Sequence, residues 1–328
     1  MPKRIVFMGS DSIALPALNF LDESDAYSLV GVFTQPDRRS GRGQKVIAND
    51  IKQWAVERSI PVQQPVRLEE EDRQVLVNWQ ADIVLVMAYG HLLKEDWLRT
   101  PAWGTYNIHG SILPRYRGAS PIQGCLLEGE SESGVSLMQV VKKMDAGPVL
   151  AVEKVTIAEN ETAGSLEEKL SKACLPLMQS GFGLVFEDNP LLTAQDESKV
   201  TYTRKLRKED GVLDFSESAE ILVRRVNGLF PWPGTSLQIK GTVIRCGLAE
   251  ESESPEIVSD EPGTLLGVDS KGLLVATGKG VLRLMKLQRP GGKMLPSLDF
   301  LRGFPLEKGL FIESVPMSKL VSSQLLKG

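Results

Sequence analysis

The run DIVLVMA, residues 82–88, is an almost uninterrupted apolar stretch with the length of one β-strand. Runs of the same kind occur at residues 3–8 (KRIVFM) and 29–34 (LVGVFT), and the segments between these runs have helical patterns. Strands that are apolar throughout, alternating with helices, are typical of parallel βαβ units in a buried sheet. Further strands are predicted at residues 105–109 (TYNIH) and 135–141 (VSLMQVV). We therefore expect a doubly wound, mainly parallel α/β domain.

The helices and the end of this domain follow from the spacing of apolar residues. A helix is expected around residues 119–128, and helical spacing continues over 163–187, where Pro176 should break or kink the helix. The domain is predicted to span residues 1–188. Residues 189–206 are polar and lack apolar periodicity, which indicates a linker on the surface.

Beyond residue 207 the sequence changes to short alternating strands with frequent Gly and Pro. Turn sequences occur at residues 269–272 (DSKG) and 278–280 (GKG), and a helix is expected at about 216–228. This pattern predicts a second domain over residues 207–328, built as a small β-barrel.

Composition excludes several classes of protein. The chain of 328 residues is 42% hydrophobic, enough for sizeable cores in two domains. A net charge of -4 argues against a generally basic nucleic-acid-binding protein. No apolar window reaches the roughly 18 residues of a membrane span, and no signal peptide is recognisable, so a soluble cytoplasmic protein is expected. Cys125, Cys174 and Cys246 lack the spacing of a disulfide framework or zinc site and are expected to be buried thiols.

One of the two histidines of the chain lies at the end of a predicted strand. Asn107 and His109 are two residues apart, so their side chains point to one face while Ile108 faces the other. Gly110 and the following turn place the pair at the carboxyl end of the strand, where open α/β sheets bind ligands. Spacing alone leaves open whether His109 belongs to a ligand site or is a hydrogen-bonded core residue.

Two other turns have simpler explanations. Asp145 lies in KKMDAGPVL, and a lone Asp in such a turn is more often a turn-former than a catalyst. Gly9 opens MGSDSIALP, which lacks the G-x-G-x-x-G spacing of a dinucleotide loop. We expect a turn there, with Ser10, Asp11 or Ser12 capping the next helix.

A basic segment follows the second strand. TQPDRRSGRGQK, residues 34–45, is long for a βα connection of about 2 to 6 residues, and its glycines favour flexibility. It suits contacts with phosphates, although a solvated loop is the alternative. Its cationic residues are Arg38, Arg39, Arg42 and Lys45.

A second basic segment, residues 279–293, is KGVLRLMKLQRPGGK. It could form an electropositive surface for nucleic acid, or an edge strand protected by its charges, and the sequence does not decide between the two. Its cationic residues are Lys279, Arg283, Lys286, Arg289 and Lys293.

Taken in order, TQPDRRSGRGQK, AYGHLL, NIHGSILPRYRGASPIQ, SGVSLMQVVKKMDAGPVL and FPWPGT resemble the methionyl-tRNA formyltransferase family, and the resemblance spans nearly the whole chain. It implies an enzyme that transfers the formyl group of 10-formyltetrahydrofolate to methionine on initiator Met-tRNA, without a metal. The N-terminal domain would bind the folate, and an OB-like C-terminal barrel would help to hold the tRNA. A monomer is expected.

The resemblance also implies roles for individual residues. Asn107, His109 and Asp145 match the catalytic trio: the first two would stabilise an oxyanion, and Asp145 would orient and charge His109. The turn that would bind folate is Ser111, Ile112, Leu113 and Pro114, and the residues that would contact tRNA are Arg38, Arg39, Arg42 and Lys45. The turn after Asp145 is less acidic than in relatives, and Ile112 replaces the usual Leu.

Other functions fit parts of the pattern. A formyltransferase acting on an amino-sugar nucleotide would carry a similar second domain, and the segment 34–45 is the main feature against it. Glycinamide ribonucleotide formyltransferases lack the second domain, and nothing indicates the water site of a formyl-folate hydrolase. A non-catalytic RNA-binding protein on the same fold is a further alternative, against which the intact trio argues.

Overall fold

The computed structural model describes residues 1–40, 45–253 and 261–325, which divide into two compact units. The first comprises Met1–Gly118, Glu132–Val155 and Glu167–Thr201, and the second comprises Ala119–Ser131, Thr156–Leu166 and Tyr202–Gly328. The linear division predicted from the sequence, into residues 1–188, 189–206 and 207–328, stays a prediction.

The first ten strands of the chain are interspersed with helices, and several of these strands follow one another directly. They are β1 (Lys3–Gly9), β2 (Tyr27–Phe33), β3 (Arg38–Ser40), β4 (Lys45–Ile47), β5 (Val62–Gln63), β6 (Ile83–Met87), β7 (Thr105–His109), β8 (Arg117–Gly118), β9 (Glu132–Gln139) and β10 (Val149–Thr156). The helices are α1 (Leu15–Asp22), α2 (Asp50–Glu57), α3 (Glu70–Asn78), α4 (Glu95–Arg99), α5 (Pro121–Leu127), α6 (Ala163–Gly181), α7 (Ala219–Gly228) and α8 (Ser297–Gly303).

A seven-stranded sheet forms the core of the first unit, in the order β10-β9-β7-β6-β1-β2-β5. β1 pairs in parallel with both β2 and β6, and β6 pairs in parallel with β7, whereas β9 is antiparallel to β7. All five residues of β6 are buried, as expected for a strand covered on both faces. The doubly wound, mainly parallel fold is confirmed.

The turn after β1 contains the predicted helix cap. The Asp11 carboxylate accepts a hydrogen bond of 3.1 Å from the Ile13 N–H and so caps a short 3-10 helix, Ser12–Ala14, that leads into α1. Pro176 was predicted to break or kink the helix, and it does not break it, because α6 continues through it to Gly181. Cys174 and Leu177 on either side of Pro176 are fully buried, and this packing offsets the backbone hydrogen bond that proline cannot make.

The second unit is a curled half-barrel of antiparallel strands. Its strands are β11 (Tyr202–Thr203), β12 (Thr235–Ile239), β13 (Thr242–Glu251), β14 (Leu265–Val268), β15 (Leu273–Ala276), β16 (Val281–Gln288), β17 (Leu295–Pro296) and β18 (Val321–Ser322). The main sheet has the order β12-β13-β16-β15-β14, with β17 paired to β16. The predicted turn at residues 269–272 joins β14 to β15, and the one at 278–280 precedes β16.

The structure corrects the interpretation of the second basic segment. β16 is paired on both sides, with β13 and β15, so it is not an edge strand. Arg283 is buried, and its guanidinium donates to Asp269, Glu250 and Ser252. Its charge is therefore neutralised inside the unit and does not contribute to an electropositive surface, because alternating residues of a curved strand can turn inward. The exposed cations of the segment are Lys279, Lys286, Arg289 and Lys293.

The three cysteines are free and buried, as predicted. Among the described residues, no helix combines the length and the apolar character that crossing a membrane requires.

Candidate active site

Asn107 and His109 lie at the carboxyl end of β7, where the sequence predicted them. β7 pairs with β6 and β9, which fixes the direction of its side chains: Ile108 and His109 are buried, and Asn107 is partly buried. The Asn107 amide has no hydrogen-bond partner among the described residues, so its donors and acceptor are available to a ligand. Alternate residues of one strand thus place an amide and an imidazole on one face of the sheet.

The Tyr116 carbonyl fixes the His109 ring, since His109 Nε2 lies 2.9 Å from the Tyr116 oxygen. A carbonyl can only accept, so Nε2 carries a proton and Nδ1 is the nitrogen left for chemistry. Tyr116 itself has a left-handed backbone, with φ of 60°. Its N–H donates to Thr201 Oγ1 at 2.8 Å, and this contact holds the strained residue in place.

Asp145 lies beside the histidine. Its Oδ2 is 3.8 Å from His109 Nδ1, and the same oxygen accepts a hydrogen bond of 2.8 Å from the Gly118 N–H. Asp145 is also a turn-former, with φ of 47° in the turn after β9. β9 runs antiparallel to β7 and ends beside Tyr106, and the irregular segment that follows β9 carries Asp145 back to His109. The structure therefore unites His109 and Asp145, which sequence spacing alone could not join.

The segment Ser111 to Pro114 is a tightly bonded turn. Ser111 is fully buried, its hydroxyl donates to the Arg115 carbonyl at 2.7 Å, and its own carbonyl accepts from Ser136 Oγ at 2.7 Å. Leu113 and Pro114, joined by a cis peptide bond, line a cavity of about 390 Å³ together with Val149–Val152 of β10. The serine hydroxyl therefore shapes the turn, and Leu113 and Pro114 are the members that reach a cavity.

The basic segment after β2 is described only at its two ends, and Gly41 and Gly43, on which the predicted flexibility rests, lie outside the described residues. Its described ends form a two-stranded antiparallel ribbon, in which β3 pairs with β4 from Arg38 opposite Ile47 to Ser40 opposite Lys45. Arg38 is exposed, and its guanidinium lies 3.2 Å from Gln35 Oε1. Arg42 lies outside the described residues.

A polar network holds the base of this ribbon at the end of β2. Asn49 Oδ1 accepts from both Thr34 Oγ1 and the Lys52 N–H at 3.0 Å, and Asn49 Nδ2 donates to the Gln35 carbonyl. Gln64 and Lys52 hydrogen-bond to Asp37, and these bonds hold the pKa of the Asp37 carboxyl below its usual value. The ribbon therefore leaves the sheet from a fixed base.

Sequence reasoning missed the part of the site that comes from residues 189–206. Thr201 accepts hydrogen bonds from the backbone N–H groups of both Tyr116 and Arg117, and the Gln195 amide donates to the Asp145 carbonyl. These residues belong to the segment predicted as a surface linker. Polar composition without periodicity was the only signal there, and it does not distinguish a linker from an irregular segment that packs.

The second unit contains a cavity of about 860 Å³ that does not suit a polyanion. Seven glutamates and three basic residues line it. Three of the glutamates lie on or just after β13: Glu250, Glu251 and Glu253. Negative lining disfavours phosphates, so this cavity is a poor candidate for nucleic acid.

Both units of the chain match models of formyl transferases. The formyl transferase family model matches residues 3–178, and the model of the formyl transferase C-terminal domain matches residues 205–305. The first of these covers the sheet and the site, and the second covers most of the antiparallel unit. This establishes the class of protein.

Curated relatives make the assignment more specific. The methionyl-tRNA formyltransferase of Hahella chejuensis is 37% identical over 303 residues, 92% of this chain and 94% of the relative. That of Bacillus subtilis is 37% identical over 309 residues, 93% and 96% of the two chains. The chain belongs to the methionyl-tRNA formyltransferase family, which confirms the resemblance drawn from its motifs.

Among solved structures, an N-formyltransferase from Helicobacter canadensis in complex with folinic acid and dTDP-3-aminofucose matches with a TM-score of 0.65. The match covers 88% of this chain and 100% of that one at 16% identity. At this identity the likeness shows a common fold and nothing about the acceptor.

Proposed function

We propose that this protein transfers the formyl group of 10-formyltetrahydrofolate to the α-amino group of methionine on initiator Met-tRNA. The observation that carries the mechanism is the cluster at the end of β7. There the Asn107 amide, which has no hydrogen-bond partner within the described part of the chain, lies on the same strand face as His109, and Asp145 is 3.8 Å from His109 Nδ1. The acceptor is proposed from relatives such as those at 37% identity, all named methionyl-tRNA formyltransferase. The amino-sugar alternative rests on structures no more than 16% identical.

The reaction is an acyl-type transfer. The methionine α-amino nitrogen attacks the formyl carbon, a C–N bond forms, and the carbonyl electron pair moves to the formyl oxygen. The tetrahedral intermediate then reforms the C=O bond and breaks the bond to N10 of the folate. The proton that the amine loses ends on N10, so the products are the formyl amide and tetrahydrofolate.

Stabilising the oxyanion is the main electrostatic task, because negative charge develops on the formyl oxygen. The Asn107 amide would donate a hydrogen bond to that oxygen. His109 would offer Nδ1–H as its second donor when protonated, because Nε2 is held by the Tyr116 carbonyl. Asp145 would orient the ring and provide the countercharge.

Proton transfer needs only modest help from the protein. An α-amino group titrates at about 7.7 to 8.0, so a substantial fraction is already unprotonated near neutral pH. His109 Nδ1 would deliver a proton to N10 as the C–N bond breaks, and the proton released by the attacking amine would replace it.

The folate would be held by the turn from Ser111 to Pro114. Its structure fits this role, because the buried Ser111 hydroxyl and Ser136 fix the backbone while Leu113 and Pro114 face a cavity of about 390 Å³. Apolar lining with a few fixed polar groups is typical of sites for flat organic ligands.

The ribbon after β2 would contact tRNA phosphates. The proposed contacts are Arg38, Arg39, Arg42 and Lys45, of which Arg38 is exposed and Arg42 lies outside the described residues. Such contacts position a nucleic acid without reading its bases.

Kinetics of site variants test this function. Asn107→Ala and Asp145→Ala should each lower kcat about a hundredfold or more, by analogy with the loss of one oxyanion donor. The assay measures formylmethionyl-tRNA formed from 10-formyltetrahydrofolate and Met-tRNA. Asn78→Ala, which removes an exposed amide on α3, is the matched control and should retain full activity. Near-normal turnover of the Asn107 variant would contradict the oxyanion role, and formylation of an amino sugar but not of Met-tRNA would overturn the acceptor.

A further inference from the structure

We propose that Gln195 is a positioning residue for Asp145 and that formyl transfer depends on its side-chain amide. The inference rests on the proposed function, since Asp145 acts in that mechanism. Gln195 lies outside the strands and helices, within the polar segment 189–206, and does not touch His109 or Asn107 in the described hydrogen bonds. It would act through the backbone that carries Asp145.

The donor side of the Gln195 amide holds the turn on both sides of Ala146. Nε2 donates to the Asp145 carbonyl at 2.8 Å and to the Gly147 carbonyl at 2.7 Å. Asp145 has φ of 47°, a conformation that is strained for a non-glycine residue and persists where surrounding contacts enforce it. Gln195 supplies two such contacts at the strained residue and its near neighbour.

The acceptor side of the same amide determines its orientation. Gln195 Oε1 accepts from Arg117 Nε at 3.0 Å and from Arg117 Nη2 at 2.8 Å. A guanidinium can only donate, so Oε1 must face Arg117 and Nε2 must face the two carbonyls. Arg117 is fully buried and also bonds to Glu197 at 2.9 Å, so it offers Gln195 a rigid support.

The support also reaches the Asp145 carboxylate. Arg117 precedes Gly118, whose N–H donates to Asp145 Oδ2 at 2.8 Å. The main chain of Asp145 is thus held through Gln195, and its carboxylate is held by the residue next to Arg117. Without the amide donors, the Asp145 and Gly147 carbonyls would lose their hydrogen bonds to Gln195. Misplacing a catalytic group by about 1 Å can cost about a hundredfold in rate, so a tenfold to hundredfold loss is expected.

Two substitutions separate the two sides of the amide. Gln195→Ala removes both, whereas Gln195→Glu keeps an oxygen acceptor for Arg117 but has no donor for the Asp145 and Gly147 carbonyls. Both variants should lower kcat about tenfold to a hundredfold. KM for Met-tRNA should stay within about threefold of wild type, because neither variant alters a proposed tRNA-contacting residue. Gln195 also lines the cavity beside Leu113 and Pro114, so KM for 10-formyltetrahydrofolate is measured separately from kcat.

A double-mutant cycle tests whether Gln195 acts through Asp145. If it does, Gln195→Ala should cause no further loss of kcat in the Asp145→Ala enzyme, since the group it positions is already absent. Ser198→Ala is the matched control within the same segment. Among the described residues the Ser198 hydroxyl bonds only to Asp196, and full activity is expected.

The outcomes are distinguishable. Losses that multiply in the double variant, or a Gln195→Glu enzyme with wild-type kcat, would overturn the positioning role while leaving the formyltransferase function intact. A wild-type enzyme that does not formylate Met-tRNA would instead refute the proposed function. If Gln195→Ala is poorly folded by circular dichroism, the Gln195→Glu variant, which retains the Arg117 contact, decides the question.

Discussion

Gly147 is the position where one added methyl group should disable the site without touching it. A Cβ built on Gly147 would lie 1.7 Å from the Gln139 carbonyl oxygen and 2.9 Å from its carbon. Ordinary contact begins at 3.4 Å, so either the backbone at Gly147 or the backbone at Gln139 would have to move by well over 1 Å. A Gly147→Ala substitution therefore cannot fit here without a shift of the backbone.

The turn should move and the strand should not. Gln139 ends β9, whose preceding residues Leu137 and Met138 are buried in the core. Gly147 belongs to the irregular turn that carries Asp145. Since a misplacement of about 1 Å can cost about a hundredfold in rate, we expect kcat to fall about a hundredfold, or about 2.7 kcal/mol in the activation barrier.

The assay is the steady-state rate of Met-tRNA formylation at saturating 10-formyltetrahydrofolate, with kcat and KM determined separately. Gly183→Ala is the matched control in the same unit, because its nearest neighbour would be Tyr27 Oη at 3.7 Å, an ordinary contact. The control should keep wild-type kcat. A Gly147→Ala enzyme with kcat within about threefold of wild type would refute the reasoning, because the turn could then absorb the methyl group without moving Asp145.

Two further predictions concern charge. Burial would raise the pKa of Asp210, but hydrogen bonds from Arg204 and from the Arg207 N–H outweigh burial and lower it. Asp210→Asn should therefore lower the free energy of unfolding by about 3 kcal/mol at pH 7. In urea titrations this difference from wild type should shrink as the pH falls below the unfolded pKa of about 3.9 and through the lower folded pKa. A difference that does not depend on pH would contradict this. Arg38→Ala should weaken Met-tRNA binding and reduce its salt slope by about 1 without changing folate affinity, and an unchanged slope in filter binding would remove Arg38 from the phosphate contacts.

Apolar periodicity and the positions of strand ends predicted several strands and the shared face of Asn107 and His109. β7 has the predicted bounds, Thr105–His109, and the shared face of Asn107 and His109 follows from alternation. Apolar runs likewise gave β1, β2 and β6. The proximity of Asp145 to His109 depends on the irregular segment after β9, which returns from the Tyr106 end of β7 to its His109 end, and no local pattern contains that information. Only the family resemblance linked these two residues in advance.

Charge and polarity in the sequence did not predict which polar residues are buried or which contribute to the site. Arg283 belongs to a run of cations, yet it is buried against Asp269 and Glu250, because a sequence shows a charge but not the partner that will neutralise it. Gln195 and Thr201 lie in a segment with no apolar period, and their contribution consists of hydrogen bonds to backbone groups. Such bonds impose no spacing on the sequence, so periodicity could not reveal them.

The proposed catalytic groups are held by two different kinds of structure. Asn107 is fixed by its place between β6 and β9, whereas His109 is oriented by the Tyr116 carbonyl and Asp145 by the Gly118 N–H. Tyr116 and Gly118 belong to one short stretch whose backbone is bonded to Thr201. A shift of that stretch would move the His109 ring and the Asp145 carboxylate together and preserve their pairing, but it would misplace the pair relative to Asn107. Alignment of the proposed oxyanion donors therefore depends on irregular turns as much as on the sheet.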